Sequence, residues 1–265
     1  MEKRVRYILI FLWLLLAFTA CDKGPSEIPS LIPLPQSIEW NNKHFPLHQS
    51  EKEIEKRIVD FLPGVPFHEN EAYILRVNAD SAILLAATET GLFRGMQTVW
   101  QLIREIDGKE YLAGCSITDW PAFAIRGFMQ DVGRNYQSLP MLKEQIDVLA
   151  AYKYNVFHFH VTDYPGWRLE SLIYPELKEP RTMSRWPGMY YSQDEFLELV
   201  NYCHERHITL IPEFDLPGHS TAFLEAFGLD SMSDPRVQGI IINLIDEVCH
   251  LIPAGKMPWF HIGTD

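Results

Sequence analysis

Between residues 124 and 263, short apolar segments typical of buried strands alternate with longer segments whose apolar residues recur at helical spacing. The predicted strands cover residues 124–132, 155–162, 208–214 and 260–263. Strands that alternate with helices in this way indicate a parallel sheet with helices packed outside it. Four such units amount to half of an eight-stranded barrel. We therefore predict an α/β fold in which residues 120–265 form the first four β/α units of a TIM (β/α)8 barrel.

Local signals predict where the helices of this segment begin. A proline follows within two residues of both Ser138 and Asp234, and proline fits the first turn of a helix. Ser192 and Glu195 have the S-x-x-E spacing of a capping box. Helices are expected to begin at these three positions.

The preceding segment, residues 31–119, is predicted to be a smaller α+β domain. Its predicted helices cover residues 51–62 and 90–106, and its predicted strands cover residues 71–79, 81–86 and 109–117. The first two strands meet at a turn near Asp80. This domain contains no cluster of residue types that carry out catalysis.

Each strand of the predicted barrel ends in polar or charged residues. They are Asp131, Arg134, Asp163, Glu213, Asp215 and Asp265. The carboxyl ends of parallel strands lie on one face of a barrel, and barrel enzymes build their active sites there. The sequence therefore predicts a site on that face.

The first residues have the composition of an export signal. Three basic residues among the first six precede an apolar run of 14 residues, 7–20, which ends at Cys21. This run is too short to span a bilayer comfortably, and FTAC resembles the cleavage site of a bacterial lipoprotein. We expect a signal peptide over residues 1–20, then a lipidated Cys21 and a tether over residues 21–30. An exported cell-envelope lipoprotein, at the outer membrane or periplasmic face, is the implied localisation, and an ordinary signal peptide with a nearby cysteine is the alternative.

The charge of the chain limits its partners. The formal net charge is −12, and removal of residues 1–20, which carry a net charge of +2, leaves about −14. Nucleic acids and anionic membrane surfaces bind basic faces, so neither is an expected partner. Membrane attachment is expected through lipidated Cys21 alone.

Three further cysteines, Cys115, Cys203 and Cys249, have spacings that fit neither a disulfide framework nor a zinc ribbon. Cys203 and Cys249 lie on the apolar faces of predicted helices. We expect both to be buried core thiols.

Four segments resemble a known family in their order and near spacing. They are RGFMQDVGRNY, NVFHFHVTDYPGWRLES, IPEFDLPGHSTA and FHIGTD. They resemble the exo-acting β-N-acetylhexosaminidases of glycoside hydrolase family 20, whose members also carry an N-terminal α+β domain. The resemblance covers about residues 31–265.

The resemblance implies that terminal N-acetylhexosamine is removed from glycans with retention, and that the substrate's own 2-acetamido group is the nucleophile. It implies that Asp265 orients this group, and that the next residue would be the glutamate acid and base. Arg134 would bind sugar hydroxyls, with a salt bridge to Asp131 as the alternative. Asp163 would orient His219, which would contact that glutamate. The family implies no cofactor and no metal.

Some features depart from the family pattern. The printed sequence ends at Asp265, so we expect a polypeptide of these residues alone to be inactive, and poorly soluble or dimeric. Thr264 occupies a position where the family usually has glycine. The family's aromatic sugar platforms come from later strands, and we expect Trp167 and Trp186 to pack rather than to replace them.

Three other functions are compatible with the sequence. His158 and His160 form an H-x-H pair, which metal-dependent amidohydrolases use to hold a metal. Glu213 and Asp265 could be a two-carboxylate glycosidase pair, although Glu213 could equally form an ion pair with a barrel arginine such as Arg126. The third is a truncated lipoprotein or carbohydrate-binding pseudoenzyme without catalysis.

Overall fold

The computed structural model describes residues 29–47 and 54–264. The predicted signal peptide, Cys21 and Asp265 lie outside the described residues. Within them, the chain forms an N-terminal α+β unit followed by four parallel strands with helices outside. The predicted fold class is confirmed. No helix in this part of the chain is long and apolar enough to cross a membrane.

The N-terminal unit is a six-stranded sheet covered by one helix. Its strands are β1 Ser37–Leu47, β2 Glu55–Ile58, β3 Tyr73–Val77, β4 Ala82–Ala86, β5 Ile103–Ile106 and β6 Lys109–Asp119. The order is β1-β6-β3-β4-β2, and β5 pairs with β6. Helix α1, Glu89–Leu102, begins where the Thr88 hydroxyl accepts a hydrogen bond from Gly91 N at 3.1 Å. A side chain at Gly91 would lie 2.4 Å from Ala72 O, so glycine permits the close contact between helix and sheet.

Two helix predictions in this unit are wrong or partly wrong. Within residues 51–62 the structure has strand β2, which pairs in parallel with β4 at the sheet edge. The helix prediction rests on the spacing of Ile54, Ile58 and Leu62, but Ile58 in β2 is 54% exposed while the other two are buried, so the three share no buried helical face. The helix predicted over residues 90–106 ends at Leu102, because the next four residues pair with β6 across a turn at Asp107 and Gly108. Both turn residues have positive φ, 52° and 74°, as a tight hairpin requires.

The second unit contains the barrel strands. They are β7 Gly127–Asp131, β8 Val156–His160, β11 Thr209–Leu216 and β12 His261–Gly263, and they pair in parallel in this order. A short hairpin follows β8, formed by β9 Thr162–Asp163 and β10 Gly166–Trp167. The helices are α2 Leu139–Ala151, α3 Gln193–Glu205, α4 Thr221–Phe227 and α5 Val237–Leu251. Helix α4 was not predicted from the sequence.

The helix-start predictions can be compared with the observed helix ends. The capping box is confirmed, since Glu195 N donates to Ser192 Oγ at 3.1 Å and Ser192 N donates to the Glu195 carboxylate at 2.9 Å. Helix α2 begins directly after Ser138, as predicted. Helix α5 begins three residues after Asp234, whose carboxylate accepts a hydrogen bond from Arg236 N at 2.9 Å.

The cysteine predictions are half right. Cys203 is buried in the barrel core, and this burial raises the pKa of its thiol. Cys249 is exposed, because it follows Val248, which occupies the core-facing position of α5. The prediction of a core thiol at Cys249 is therefore wrong.

Two buried ionic clusters join the units at the amino ends of the barrel strands. In the first, Glu71 accepts hydrogen bonds from Arg94 Nε at 2.8 Å, from Arg126 Nη2, and from Asn155 Nδ2 at 3.0 Å. Burial alone would raise the pKa of Glu71, but the two guanidinium groups outweigh it and hold the pKa below its usual value. Arg94 Nη2 also donates to His207 O at 2.7 Å, so the cluster ties α1 to the start of β11.

The second cluster is formed by Lys153, Asp119 and Tyr73. Lys153 Nζ lies 2.8 Å from Asp119 Oδ2 and 2.9 Å from Tyr73 Oη. Burial lowers the pKa of Lys153, while the Asp119 carboxylate opposes this shift. The last residue of β6 is thus bonded to the residues that precede β8.

Candidate active site

Arg134 lies at the carboxyl end of β7 and pairs with two carboxylates. Its Nη1 is 2.7 Å from Asp131 Oδ2, and its Nη2 is 2.7 Å from Asp163 Oδ2. Arg134 N also donates to Asp131 Oδ1 at 2.9 Å. The side chain of Arg134 remains 38% exposed, so the guanidinium is fixed in direction but still open to a ligand. The salt bridge between Arg134 and Asp131, which is the alternative to sugar binding, is therefore present, but it leaves part of the guanidinium exposed.

The Asp163 carboxylate contacts Arg134, His160 and His219. It is 1% exposed, and its Oδ1 accepts a hydrogen bond from Tyr164 N at 2.5 Å. His219, in the loop after β11, places Nδ1 3.3 Å from the same oxygen. The structure therefore brings Arg134 together with Asp163 and His219, the two residues that the family resemblance pairs.

His160 and Glu213 form a pair that the sequence does not predict. His160 is 2% exposed, and its Nδ1 lies 2.6 Å from Glu213 Oε2 on the neighbouring strand. Its Nε2 lies 3.2 Å from Asp163 Oδ2. The H-x-H pattern and the IPEFD segment were the available signals, but neither predicts that these particular side chains meet.

Glu213 accepts contacts from two further histidines. His158 Nε2 lies 2.9 Å from Glu213 Oε2, and His261 Nδ1 lies 2.7 Å from Glu213 Oε1. Burial would raise the pKa of Glu213, but its contacts with His158 and His160 outweigh burial and hold the pKa far below its usual value. Glu213 therefore stays ionised and is a poor general acid, so in the two-carboxylate alternative it could act only as the nucleophile or base.

The same cluster bears on the metal alternative. His158, Glu213 and His261 present possible ligand atoms within 4.8 Å of one another. Two atoms bound to one zinc ion at about 2.1 Å lie roughly 3.4 Å apart in tetrahedral geometry. The observed nitrogen-to-oxygen distances of 2.9 and 2.7 Å are shorter than this spacing. Among the described residues, His158 Nε2 nevertheless makes no hydrogen bond, and His261 Nδ1 lies 3.2 Å from Gly263 N. As they stand, the three side chains are too close together to be ligands of one tetrahedral zinc ion.

Arg126, which was considered as an ion-pair partner for Glu213, lies at the opposite end of the strands. It precedes β7 and pairs with Glu71 instead. The alternative that invoked Arg126 for Glu213 is therefore wrong. A residue just before a barrel strand cannot reach carboxylates at that sheet's carboxyl edge.

The end of β12 approaches Asp215 closely. A side chain at Gly263 would lie 2.0 Å from Asp215 Oδ1, so this position requires glycine. Thr264 N donates to Leu216 O at 3.1 Å, and Thr264 has a φ of 105°. That backbone conformation favours glycine, which is the residue usual in the family at this position. The threonine found here therefore adopts it at some cost in backbone strain. Asp265 follows directly but lies outside the described residues.

Arg168 supports the loop beside the site. It has no exposed surface, and its guanidinium donates to Gly133 O at 3.2 Å and to Arg185 O at 2.7 Å. It also donates to Trp186 O at 3.1 Å and to Met189 O at 3.0 Å. One buried side chain thus fixes the turn before Arg134 and the loop over residues 185–189.

The two tryptophans near the site differ in environment. Trp167 is buried, and its ring centroid lies 4.5 Å from that of Phe214, so the packing prediction is confirmed for Trp167. Trp186 is 52% exposed, so the same prediction is wrong for Trp186. The bonds that hold its backbone leave its side chain on the surface.

Two family models match the chain. Residues 123–236 match "Glycosyl hydrolase family 20, catalytic domain", and residues 51–120 match "Glycosyl hydrolase family 20, domain 2". Together they cover more than half of the 265 residues.

Curated proteins and solved structures give the same result. The chain is 33% identical over 234 residues to the beta-hexosaminidase of Porphyromonas gingivalis, which covers 76% of this chain and 30% of that protein. It is 38% identical over 171 residues to the beta-hexosaminidase of Akkermansia muciniphila, which covers 62% and 35%. The X-ray structure of a chitobiase from Flavobacterium johnsoniae superimposes with a TM-score of 0.74 at 29% identity, over 88% of this chain and 44% of that one. The chain thus spans about a third of the length of these curated relatives.

Proposed function

Since the chain belongs to glycosyl hydrolase family 20, we propose that the protein is an exo-β-N-acetylhexosaminidase. It removes terminal N-acetylglucosamine or N-acetylgalactosamine from glycans, and these glycans are its partners. The observation that carries this proposal is the meeting of Arg134 and His219 on the buried carboxylate of Asp163. A fixed, partly exposed guanidinium suits the hydroxyl groups of a terminal sugar.

The reaction follows the family's substrate-assisted route. The carbonyl oxygen of the 2-acetamido group attacks the anomeric carbon while the leaving oxygen is protonated, and water later opens the resulting oxazolinium with retention. Asp265 accepts a hydrogen bond from the acetamido N–H, which orients the nucleophile and stabilises the developing positive charge. Asp163 orients His219, and His219 contacts the glutamate that the family places directly after Asp265. These roles are carried over by position in the sequence.

A polypeptide of these 265 residues alone is proposed to be inactive. Asp265 is the last residue of the printed sequence, so that polypeptide has no following glutamate to act as acid and base.

The proposal also divides the chain and locates it. Residues 31–119 form the N-terminal domain and residues 120–265 the barrel part, preceded by a signal peptide, a lipidated Cys21 and a tether. Replacement of Cys21 with serine should abolish labelling with a radioactive fatty acid in bacterial cells. Continued labelling of Cys21→Ser would contradict lipidation at this residue.

The decisive experiment compares sugars on the full-length encoded protein. We expect release of nitrophenol from the β-N-acetylglucosaminide and the β-N-acetylgalactosaminide, and at least 100-fold slower release from the β-glucoside, which lacks the acetamido nucleophile. Equal rates on the glucoside would contradict the acetamido mechanism. Zinc analysis of the purified protein provides the parallel test, since activity that depends on one zinc per chain would favour the amidohydrolase alternative.

A further inference from the structure

His160 lies between two carboxylates that belong to different strands. Its Nδ1 is 2.6 Å from Glu213 on β11, and its Nε2 is 3.2 Å from Asp163 on β9. Asp215, also on β11, has an oxygen 4.0 Å from the same Nε2. The imidazole is almost fully buried, so solvent cannot replace either contact.

These contacts determine the protons on the ring. An ionised carboxylate can only accept hydrogen bonds, so both ring nitrogens of His160 must donate, and the ring must be an imidazolium. Burial opposes this charge, but Glu213 and Asp163, together with the more distant Asp131, outweigh it and raise the pKa of His160 to about 8. His158 and His261 are the other titratable groups in contact with Glu213.

The two oxygens of Asp163 have separate partners. Oδ2 receives His160 Nε2 and Arg134 Nη2, and Oδ1 receives Tyr164 N and faces His219 Nδ1. His160 is the partner that connects Asp163 to Glu213 on the neighbouring strand. Without it, the Asp163 carboxylate would keep its contacts with Arg134 and Tyr164 N but lose its link to Glu213, so it could tilt and displace both functional partners. These two partners also contact each other, since Arg134 Nη2 lies 3.3 Å from His219 Nδ1.

We propose that His160 is a positioning residue, whose doubly donating imidazole ties Asp163 to Glu213 and so holds Arg134 and His219 in register. The effect on catalysis rests on the proposed hexosaminidase function, whereas the geometric claim does not.

The main chain of His160 has a separate role, which substitution leaves in place. Its carbonyl oxygen accepts hydrogen bonds from Val132 N at 3.0 Å and Gly133 N at 3.2 Å. These bonds shape the turn that leads to Arg134. Because side-chain variants retain them, a variant of His160 tests the imidazole and not the turn.

Two amide variants separate the two arms of the ring. The amide nitrogen of asparagine replaces Nδ1, so His160→Asn keeps a donor toward Glu213 and loses the one toward Asp163. Glutamine reaches the position of Nε2, so His160→Gln keeps the donor toward Asp163. His250→Asn is the matched control, since the His250 side chain lies on α5, away from the site, and is 77% exposed.

The first readout uses the 265-residue chain labelled with ¹⁵N-histidine. At pH 6.5 we expect the His160 ring to have both nitrogens protonated. His160→Asn should shift the ring signals of His219, His160→Gln should shift them less, and His250→Asn should leave them unchanged. A neutral His160 ring at pH 6.5, or His219 signals that stay unchanged in both His160 variants, would overturn the inference.

The second readout is kinetic and uses the full-length encoded protein. His160→Asn should lower kcat/KM for the chromogenic N-acetylglucosaminide by on the order of 10-fold or more, with part of the loss in KM, because Arg134 is misplaced. His160→Gln should recover part of this loss. Equal losses in both variants, matched by their loss of thermal stability, would indicate a merely structural role. If the unsubstituted protein shows no turnover, the proposed function fails, and the nitrogen signals still decide the positioning claim.

Discussion

Replacement of Glu71 with alanine should strongly destabilise the chain. Glu71 is 8% exposed and faces Arg94, which is 1% exposed, and Arg126. Without the carboxylate, the Arg94 charge would be buried without a counter-ion. Breaking a buried ion pair by removing one partner costs about 3–5 kcal/mol. For a chain of this size, each kcal/mol corresponds to a change in Tm of about 2–4 °C, so a drop of roughly 10 °C is expected.

The matched control for this prediction is Glu69→Ala. Glu69 belongs to the same short 3-10 turn, Glu69–Glu71, but its side chain is exposed, and its loss should change stability by less than about 0.5 kcal/mol. Glu71→Gln should be intermediate, because an amide keeps one acceptor oxygen but carries no charge. Urea midpoints followed by circular dichroism measure all three variants. A Glu71→Ala midpoint within experimental error of that of Glu69→Ala would refute the reasoning.

The pH dependence gives an independent check of the same carboxylate. The pKa of Glu71 is lower in the folded protein than its usual value of 4.5. Its contribution to stability is therefore complete above pH 4.5 and is lost as the pH falls through the lowered, folded-state pKa. The stability difference between the parent chain and Glu71→Gln should shrink on acidification below about pH 4.5. A difference that grows with acidification would have the wrong sign.

Three further predictions concern other buried groups and the open sheet edge. Lys153→Ala should cost about 3 kcal/mol by urea midpoint, and Lys153→Met clearly less, because the apolar stem can still pack beside Tyr73; equal costs would contradict this. Arg168→Met should lower the free energy of unfolding by about 2 kcal/mol or more, because the carbonyl groups of residues 185, 186 and 189 lose their donor. Proteolysis within residues 185–189 should also become faster, and an unchanged cleavage rate would contradict the role assigned to Arg168. The 265-residue polypeptide should elute from a sizing column as a dimer or larger species. Ile262 on β12 is 53% exposed, and Ile262→Lys should reduce this association. A monomeric parent chain would disprove the predicted association.

The parts of the fold that could be predicted depend on local signals. The capping box at Ser192 and the helix start after Ser138 needed only residues within one turn of each other, and both were found. Strand β2 could not be predicted in the same way. Its hydrogen bonds come from β4, more than 20 residues further along the chain, and this pairing overrides a weak helical pattern over residues 51–62.

The candidate site shows the same limit. The family motifs predict that Asp163 pairs with His219 and that Arg134 binds sugar, and the structure brings these three side chains together. The bond between His160 and Glu213 joins residues 53 positions apart on neighbouring strands, and no local pattern encodes which strand-end side chains face each other. The exposure of Trp186 could not be predicted for a related reason. Its side chain is apolar, but its position depends on the hydrogen bond that Arg168 makes to its backbone.

The ionic clusters around Glu71 and Lys153 lie at one end of the barrel strands, and the candidate site lies at the other. A five-residue strand such as β8 separates them by roughly 16 Å. Free-energy changes at sites this far apart, without shared partners, usually add. The contacts at the strand starts could therefore be changed to stabilise the N-terminal domain without altering the candidate site at the strand ends. For this chain, thermal stability and the properties of the candidate site can be optimised separately.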